Sequence, residues 1–364
     1  MERFLKYKDF LKKLLETPGA SGFESNIREL MEEELKIYVD EITTDKVGNL
    51  IFIKYGNKED SPKILLMAHM DEIGLIIKHI DDSGFIYFSY LGGINSQVLL
   101  NQRVLISGKN GTVLGVVGSK SIHLMNEKER KEPIRRDQMY IDVGADSLEE
   151  VLNLGIRVGD PATWIGELHV LNNNKICGKA IDGRIGLLIL AEVIKSLDVE
   201  PTIIGIASIM EEVGLRGAST ATYNVDSKYN IDFGISLDIS LAGDYPGVNE
   251  SISPIKLGAG PTITVASGTR TSLQNGLIAH PKIRGFLTRI AEEFEIPYQL
   301  EVMEGGTTDG ANIMLTREGI PTSNIGVPCR YAHSPVEVVS LNDVNNTIKL
   351  IQRALENTHK LIVF

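Results

Sequence analysis

The sequence predicts an α/β protein: a mostly parallel central sheet with helices on both faces, and a small β-rich domain inserted part-way along the chain. Three observations carry this. Continuous apolar runs such as ILLMA at 64–68 alternate with segments of helical spacing, the pattern of a parallel sheet buried on both faces. Between two such stretches, residues 75–165 change to short strand-like runs separated by Gly and Asp, with sparse helical signal. Finally, five apolar runs in the flanking stretches end in metal-binding residue types. The expected division is therefore a discontinuous α/β domain, 1–74 and 166–364, interrupted by a β-rich domain, 75–165.

The first helix follows from Tyr7, Phe10, Leu11, Leu14 and Leu15 at helical spacing, broken by Thr17-Pro18-Gly19-Ala20. Ser21 and Glu24 form a capping-box pattern for a second helix at about 22–37. Strands are expected at 46–54 and 63–68, then within the insert at LIIKHI, GFIYFSYL, QRVLISG, GTVLGVVG and MYIDVGA, with a short helix at 148–154. The charge run EKERKEPIRRD at 127–137 reads as a solvated loop. From Lys175 strands and helices alternate again, ending in a helix at 341–361.

With 364 residues, 43% of them hydrophobic, the chain can bury two domain cores. A net charge of −11 argues against non-specific nucleic-acid binding. Two cysteines, Cys177 and Cys329, make no disulfide framework. The N-terminal segment lacks a signal-like apolar stretch, and no apolar run approaches the roughly 20 residues that span a bilayer. The expectation is a cytoplasmic protein with neither membrane nor nucleic-acid partners.

The constellation at the run ends points to function. ILLMA ends at His69, with Asp71 two residues on; KICGKAI ends at Asp182; IIGIASIM at Glu211-Glu212; FGISL at Asp238; and NIGVPC is followed by His333. Sites in open α/β sheets form outside the carboxyl ends of the strands, so these five ends predict convergence on one spot. The donors are N and O without thiolate, which suits Zn, Co or Mn. Two His and three carboxylates exceed the needs of one open zinc site and suit two ions sharing one carboxylate. One of Glu211 and Glu212 is left to face the reacting water as general base. Asp71, on the same side of the extended chain as His69, suits electrostatic support of that ligand. His79, His123, His169, His280 and His359 read as structural.

Several ordered motifs then resemble the tetrahedral aminopeptidases, the glutamyl or deblocking aminopeptidase family, some of whose members carry a cellulase or endoglucanase label. They are TPGASGFE at 17–24, AHMDEIG at 68–74, KAIDGR at 179–184, MEEVGLRGA at 210–218, LDIS at 237–240, EGGTTDGAN at 304–312 and RYAHSP at 330–335, with YLGGINSQVL and MYIDVGADSLEEV in the insert. The resemblance implies a two-metal aminopeptidase that removes N-terminal residues from peptides. His69 and Asp238 would hold one divalent ion, Glu212 and His333 the other, and Asp182 would bridge them. Zinc heads the candidate metals, with cobalt or manganese as alternatives. Glu211 would be the catalytic base and acid, and Asp71, counted with the catalytic residues, would tune His69. The insert would be a PDZ-like self-association domain and the assembly a dodecamer. Gly183 departs from the pattern, which usually has an acidic or amide residue there; Gly310 stands where alanine is more usual. The alternatives are an endoglucanase-type glycoside hydrolase, a metal-dependent small-amide deacylase and a non-catalytic assembly protein. The preferred N-terminal residue stays open; Arg216 and Arg270 are the basic residues that would select an acidic one.

Overall fold

The computed structural model describes residues 2–57, 61–196 and 200–361. Its main sheet has eleven strands. The centre is parallel, in the order Thr202–Ser208, Lys63–His69, Phe233–Leu241 and Thr322–Arg330. All or nearly all residues of these strands are buried, as expected for strands covered on both faces.

The flanks are antiparallel. Glu41–Thr44 and Leu50–Lys54 form a hairpin on one side, and His169–Leu171, Lys175–Gly178 and Glu337–Ser340 complete the other. In the hairpin pairs Glu41–Thr44 with Leu50–Lys54, His169–Leu171 with Lys175–Gly178, and Thr322–Arg330 with Glu337–Ser340 the short connections dictate this, because a parallel pair needs a crossover of a dozen residues or more. Thr262–Gly268 pairs with Thr322–Arg330 and carries the parallel edge strand Gln299–Glu304.

Alternate side chains of the Lys63–His69 strand serve the two faces. Ile64, Leu66 and Ala68 join a core with the helices Glu2–Glu16, Ser25–Leu35, Ile181–Ser196, Pro281–Glu293 and Leu341–Glu356. Leu65 and Met67 pack with Arg216–Tyr229 and Gly310–Ile313.

The β-rich stretch closes on itself. Strands Gly74–Ile80, Ile86–Leu91, Met139–Asp142, Gly111–Ser119, Arg103–Gly108 and Pro161–Trp164 form a six-stranded barrel in that order. It has its own core, including Leu75, Phe88, Ile106, Val117, Ile141 and Trp164, and each strand has a neighbour on both sides, although Ile86–Leu91 and Met139–Asp142 meet only at Ile86 and Ile141. The charge run at 127–137 is exposed and pairs largely with itself, as in Lys131–Glu127 and Arg135–Asp137.

One local expectation fails. Glu24 caps the helix Ser25–Leu35 without any capping side-chain bond. Its carboxylate accepts from Gly22 N at 2.6 Å and Met210 N at 3.0 Å, and the Ser21 hydroxyl donates to Asp71. Both residues are drawn to a distant partner, and the local cap is lost.

Candidate metal centre

The carboxyl edge of the sheet gathers the predicted residues. His69 closes the Lys63–His69 strand beside Ser208, and Asp238 lies towards the end of Phe233–Leu241. Glu211 and Glu212 follow the Thr202–Ser208 strand, and His333 lies in the turn between Thr322–Arg330 and Glu337–Ser340. Asp182 sits at a break, with Asp182 (φ −53°, ψ 121°) and Gly183 (φ 71°) both non-helical at the head of Ile181–Ser196.

Two groups of ligand atoms result: His69, Asp182 and Asp238, and Asp182, Glu212 and His333, the atoms of each lying within 4.8 Å of one another. The two oxygens of Asp182 are divided between them. Oδ1 is 3.3 Å from His69 Nε2, and Oδ2 is 3.2 Å from His333 Nε2. His69 Nε2 also faces Asp238 Oδ1 at 3.7 Å, and His333 Nε2 faces Glu212 Oε2 at 3.4 Å.

The far nitrogen of each imidazole is engaged elsewhere. His69 Nδ1 lies 3.1 Å from the Asp71 carbonyl oxygen and 3.4 Å from its Oδ1. His333 Nδ1 lies 2.7 Å from the Gly93 carbonyl oxygen. A ring that donates from Nδ1 presents the Nε2 lone pair to the site, the orientation a metal-ligating histidine takes. The donor set and this orientation fit divalent cations.

Electrostatics agree. Burial opposes charge on both histidines, yet the carboxylates facing them win: His69 is raised well above its ordinary value and His333 to about 10. The negative potential that keeps protons there is the one that would hold cations, whose binding releases those protons. Burial also works against the Asp182 carboxylate, but the two histidines hold it well below the usual range. Burial raises Glu211 well above its ordinary value against the pull of His69, and Asp238 and Asp309 push the same way.

Two buried carboxylates pin the ligand-bearing backbone. Asp71 accepts from Glu211 N at 3.0 Å and Glu212 N at 3.1 Å, one on each oxygen, besides the Ser21 hydroxyl. Asp71 is fully buried and does not line the cavity, so it positions other groups and does not meet a substrate. Glu337, absent from the sequence reading, does the same for the other side: Oε1 accepts from His333 N at 2.8 Å and Oε2 from Asp182 N at 2.9 Å. Burial and then the Asp182 charge push Glu337 up to about 8.

Sequence reasoning also missed an ion network under the floor. Glu72 receives Lys179 at 2.6 Å and Arg184 at 3.5 Å, all three buried. Arg184 also donates to the carbonyls of Met70, Leu14, Thr17 and Gly19. The available signal was charged residues bracketing Asp182 within an apolar stretch, where a buried charge demands a partner.

Left-handed backbone at Ala180, Met210, Leu215, Tyr331 and His333, each within four residues of a candidate ligand, adds strain of a kind that clusters at functional sites. At Gly183 the left-handed φ lies against the His69 ring, and a Cβ would come within 2.3 Å of it. The departure from the family pattern is thus accommodated by close packing of His69. At Gly310 a Cβ would meet the Ser236 hydroxyl at 2.6 Å.

A cavity of about 460 Å³ opens over the centre. Residues 305–308 of the EGGTTDGAN motif line it, whereas Asp309 is buried below, bonded to Ser208 and pushed up by burial to about 7. Cys177 and Cys329 contribute no ligand to these groups; burial pushes both thiols up. Trp164 is buried in the barrel and offers no sugar-stacking platform.

A family model described as M42 glutamyl aminopeptidase matches residues 48–350, and the chain belongs to that family. It is an aminopeptidase, a hydrolase of peptide bonds. The lysyl aminopeptidase of Pyrococcus furiosus is 36% identical over 352 residues, 96% of each chain. The solved aminopeptidase of the archaeon Desulfurococcus kamchatkensis has a TM-score of 0.90 and 39% identity over 99% of both chains. The Pyrococcus horikoshii TET1 peptidase, described as assembling into a tetrahedron or a large octahedral shell, has a TM-score of 0.85 and 32% identity over 96% of this chain and 99% of its own. Among the described residues no helix is long and apolar enough to cross a membrane.

Proposed function

We propose that the chain removes N-terminal residues from peptides with two divalent ions, zinc first among Zn, Co and Mn. His69 and Asp238 would hold one ion and Glu212 and His333 the other, with Asp182 belonging to both groups. The observation that carries this is the division of the two Asp182 oxygens between the two imidazoles. Bound there, the ions would supply Lewis acidity to the scissile carbonyl and acidify the attacking water. Glu211 lines the cavity and is not needed in either ligand group. It takes the water's proton and returns it to the leaving amine, its raised proton affinity suiting both steps. Asp71 keeps His69 and the Glu211-Glu212 backbone in register for this.

Glu211→Gln tests the assignment. We expect kcat on peptides with free N-termini to fall about 10²–10⁴-fold with metal content unchanged. Full activity in that variant would remove Glu211 from the mechanism. Activity on acylated small amides with none on peptides would replace the peptidase by a deacylase.

The division into a catalytic unit at 1–74 and 166–364 and an insert at 75–165 is supported by the two separate buried cores. Self-association through the insert, up to a dodecamer, is supported by exposed Leu114, Val116, Ile122 and Leu124 on the barrel and by the assemblies of the TET1 peptidase. Light scattering on wild type and Leu124→Lys reads the assembly directly; an unchanged mass would move the contact elsewhere.

A further inference from the structure

The metal centre forms the floor of the cavity; its walls have a different chemistry. Leu215, Ile239, Leu241, Met303 and Ala332 supply apolar surface, and Thr269 with residues 305–308 supplies neutral polar surface. Every charged residue that lines the cavity, Asp182, Glu211, Glu212, Asp238 and His333, belongs to the centre already described.

Among the described residues no basic side chain of the walls compensates. Arg216 and Arg270 are exposed and line no part of the cavity. Arg330 is bound to Asp244 at 2.6 Å. Glu304, next to the 305–308 loop, is exposed and also lies outside the walls.

The apolar wall is built firmly. Leu215 holds a left-handed backbone (φ 55°), donates its N–H to Glu211 O at 2.8 Å, and accepts from Asn312 Nδ2 at 2.8 Å. It is thereby locked beside the catalytic glutamate. Met303 can adjust to differently shaped side chains.

We propose that this cavity selects peptides whose N-terminal side chain is neutral and apolar, leucine- or methionine-like, over acidic or basic ones. The inference rests on the aminopeptidase reading above. An ammonium or carboxylate placed among Leu, Ile and Met loses water without gaining a partner, whereas an aliphatic side chain gains burial.

The test compares kcat/KM for the p-nitroanilides of leucine, methionine, lysine and glutamate on the full chain loaded with zinc, cobalt or manganese. We expect leucine and methionine to exceed lysine and glutamate at least tenfold. Lysine or glutamate cleaved as fast as leucine would overturn the specificity while leaving the peptidase intact. No cleavage of any of the four by protein holding its ions would overturn the peptidase reading itself. Leu241→Glu, at a half-exposed wall position that tolerates polarity, should raise the lysine-to-leucine ratio at least tenfold; an unchanged ratio would show that this wall does not contact the N-terminal side chain.

Discussion

The His69 side chain is 2% exposed and the His333 side chain 38%, although each faces the same Asp182 carboxylate at 3.3 and 3.2 Å. The deep half of the centre, His69 and Asp238, stands on two adjacent parallel strands, with Asp71 and Gly183 of the same catalytic unit holding the His69 ring. The rim half, Glu212 and His333, stands on loops. It depends on Asp71 and Glu337 for its backbone and on the Gly93 carbonyl, which belongs to the barrel stretch, for the orientation of His333. A Cβ at Gly92 would come within 3.2 Å of Glu212 Oε2, and one at Gly93 within 3.3 Å of His333 Nδ1, so the barrel approaches the rim half through glycines. The contrast teaches that the β-rich stretch, besides packing a core of its own, supplies contacts to one half of the candidate site.

The largest effect expected from this contrast is at the shared ligand. Asp182→Ala should abolish activity and lose both equivalents of metal after dialysis, measured by elemental analysis; retention of one equivalent would show that Asp182 does not bridge. Next, His333→Ala should lose the rim equivalent and keep the deep one, whereas His69→Ala should weaken the deep equivalent. Loss of both ions in His333→Ala would erase the distinction between the halves. A smaller effect is expected at Glu337→Gln, about 10–100-fold in metal affinity or activity, concentrated in the rim ion; equal weakening of both ions would place its influence on Asp182 instead.

The smallest effect concerns a buried carboxylate outside both halves. Glu301 accepts from Ser240 and Thr264, and burial pushes it up to about 7 from 4.5. Its folded-state value is raised, so its stabilising contribution is full below about pH 4.5 and is lost as pH rises through 7. At about 1.4 kcal/mol per pH unit the loss amounts to about 3 kcal/mol by pH 8. Denaturant unfolding of the metal-loaded protein at pH 5 and pH 8 should show that much less pH dependence in Glu301→Gln than in wild type. Equal slopes would mean that Glu301 is ionised in the fold.

The candidate ligands could be picked out because each closes or closely follows an apolar run, and a parallel sheet delivers the carboxyl ends of its strands to one edge whatever the loops do. The bracing residues were not. Ser21 and Glu24 fit a local capping pattern, but Ser21 is bonded to a residue 50 positions away. Glu337 reaches back 155 residues to Asp182, and His333 reaches 240 to Gly93. Periodicity and capping signals act over a few residues and carry no information about such pairs. The strands Thr262–Gly268 and Pro161–Trp164 escaped the strand pattern, the latter beginning at a proline.

By itself, then, the sequence determined the α/β class, the β-rich interruption and the candidate ligands gathered at the sheet edge, because these follow from hydrophobic pattern and from polar residues placed at its breaks. The tertiary structure alone decided which Asp182 oxygen faces which histidine, that Asp71 points away from the cavity to hold backbone, that the barrel supplies the His333 acceptor, and that the walls over the centre are uncharged. Each of these is a relation between segments far apart in the chain, and it exists only once the strands have been brought into register.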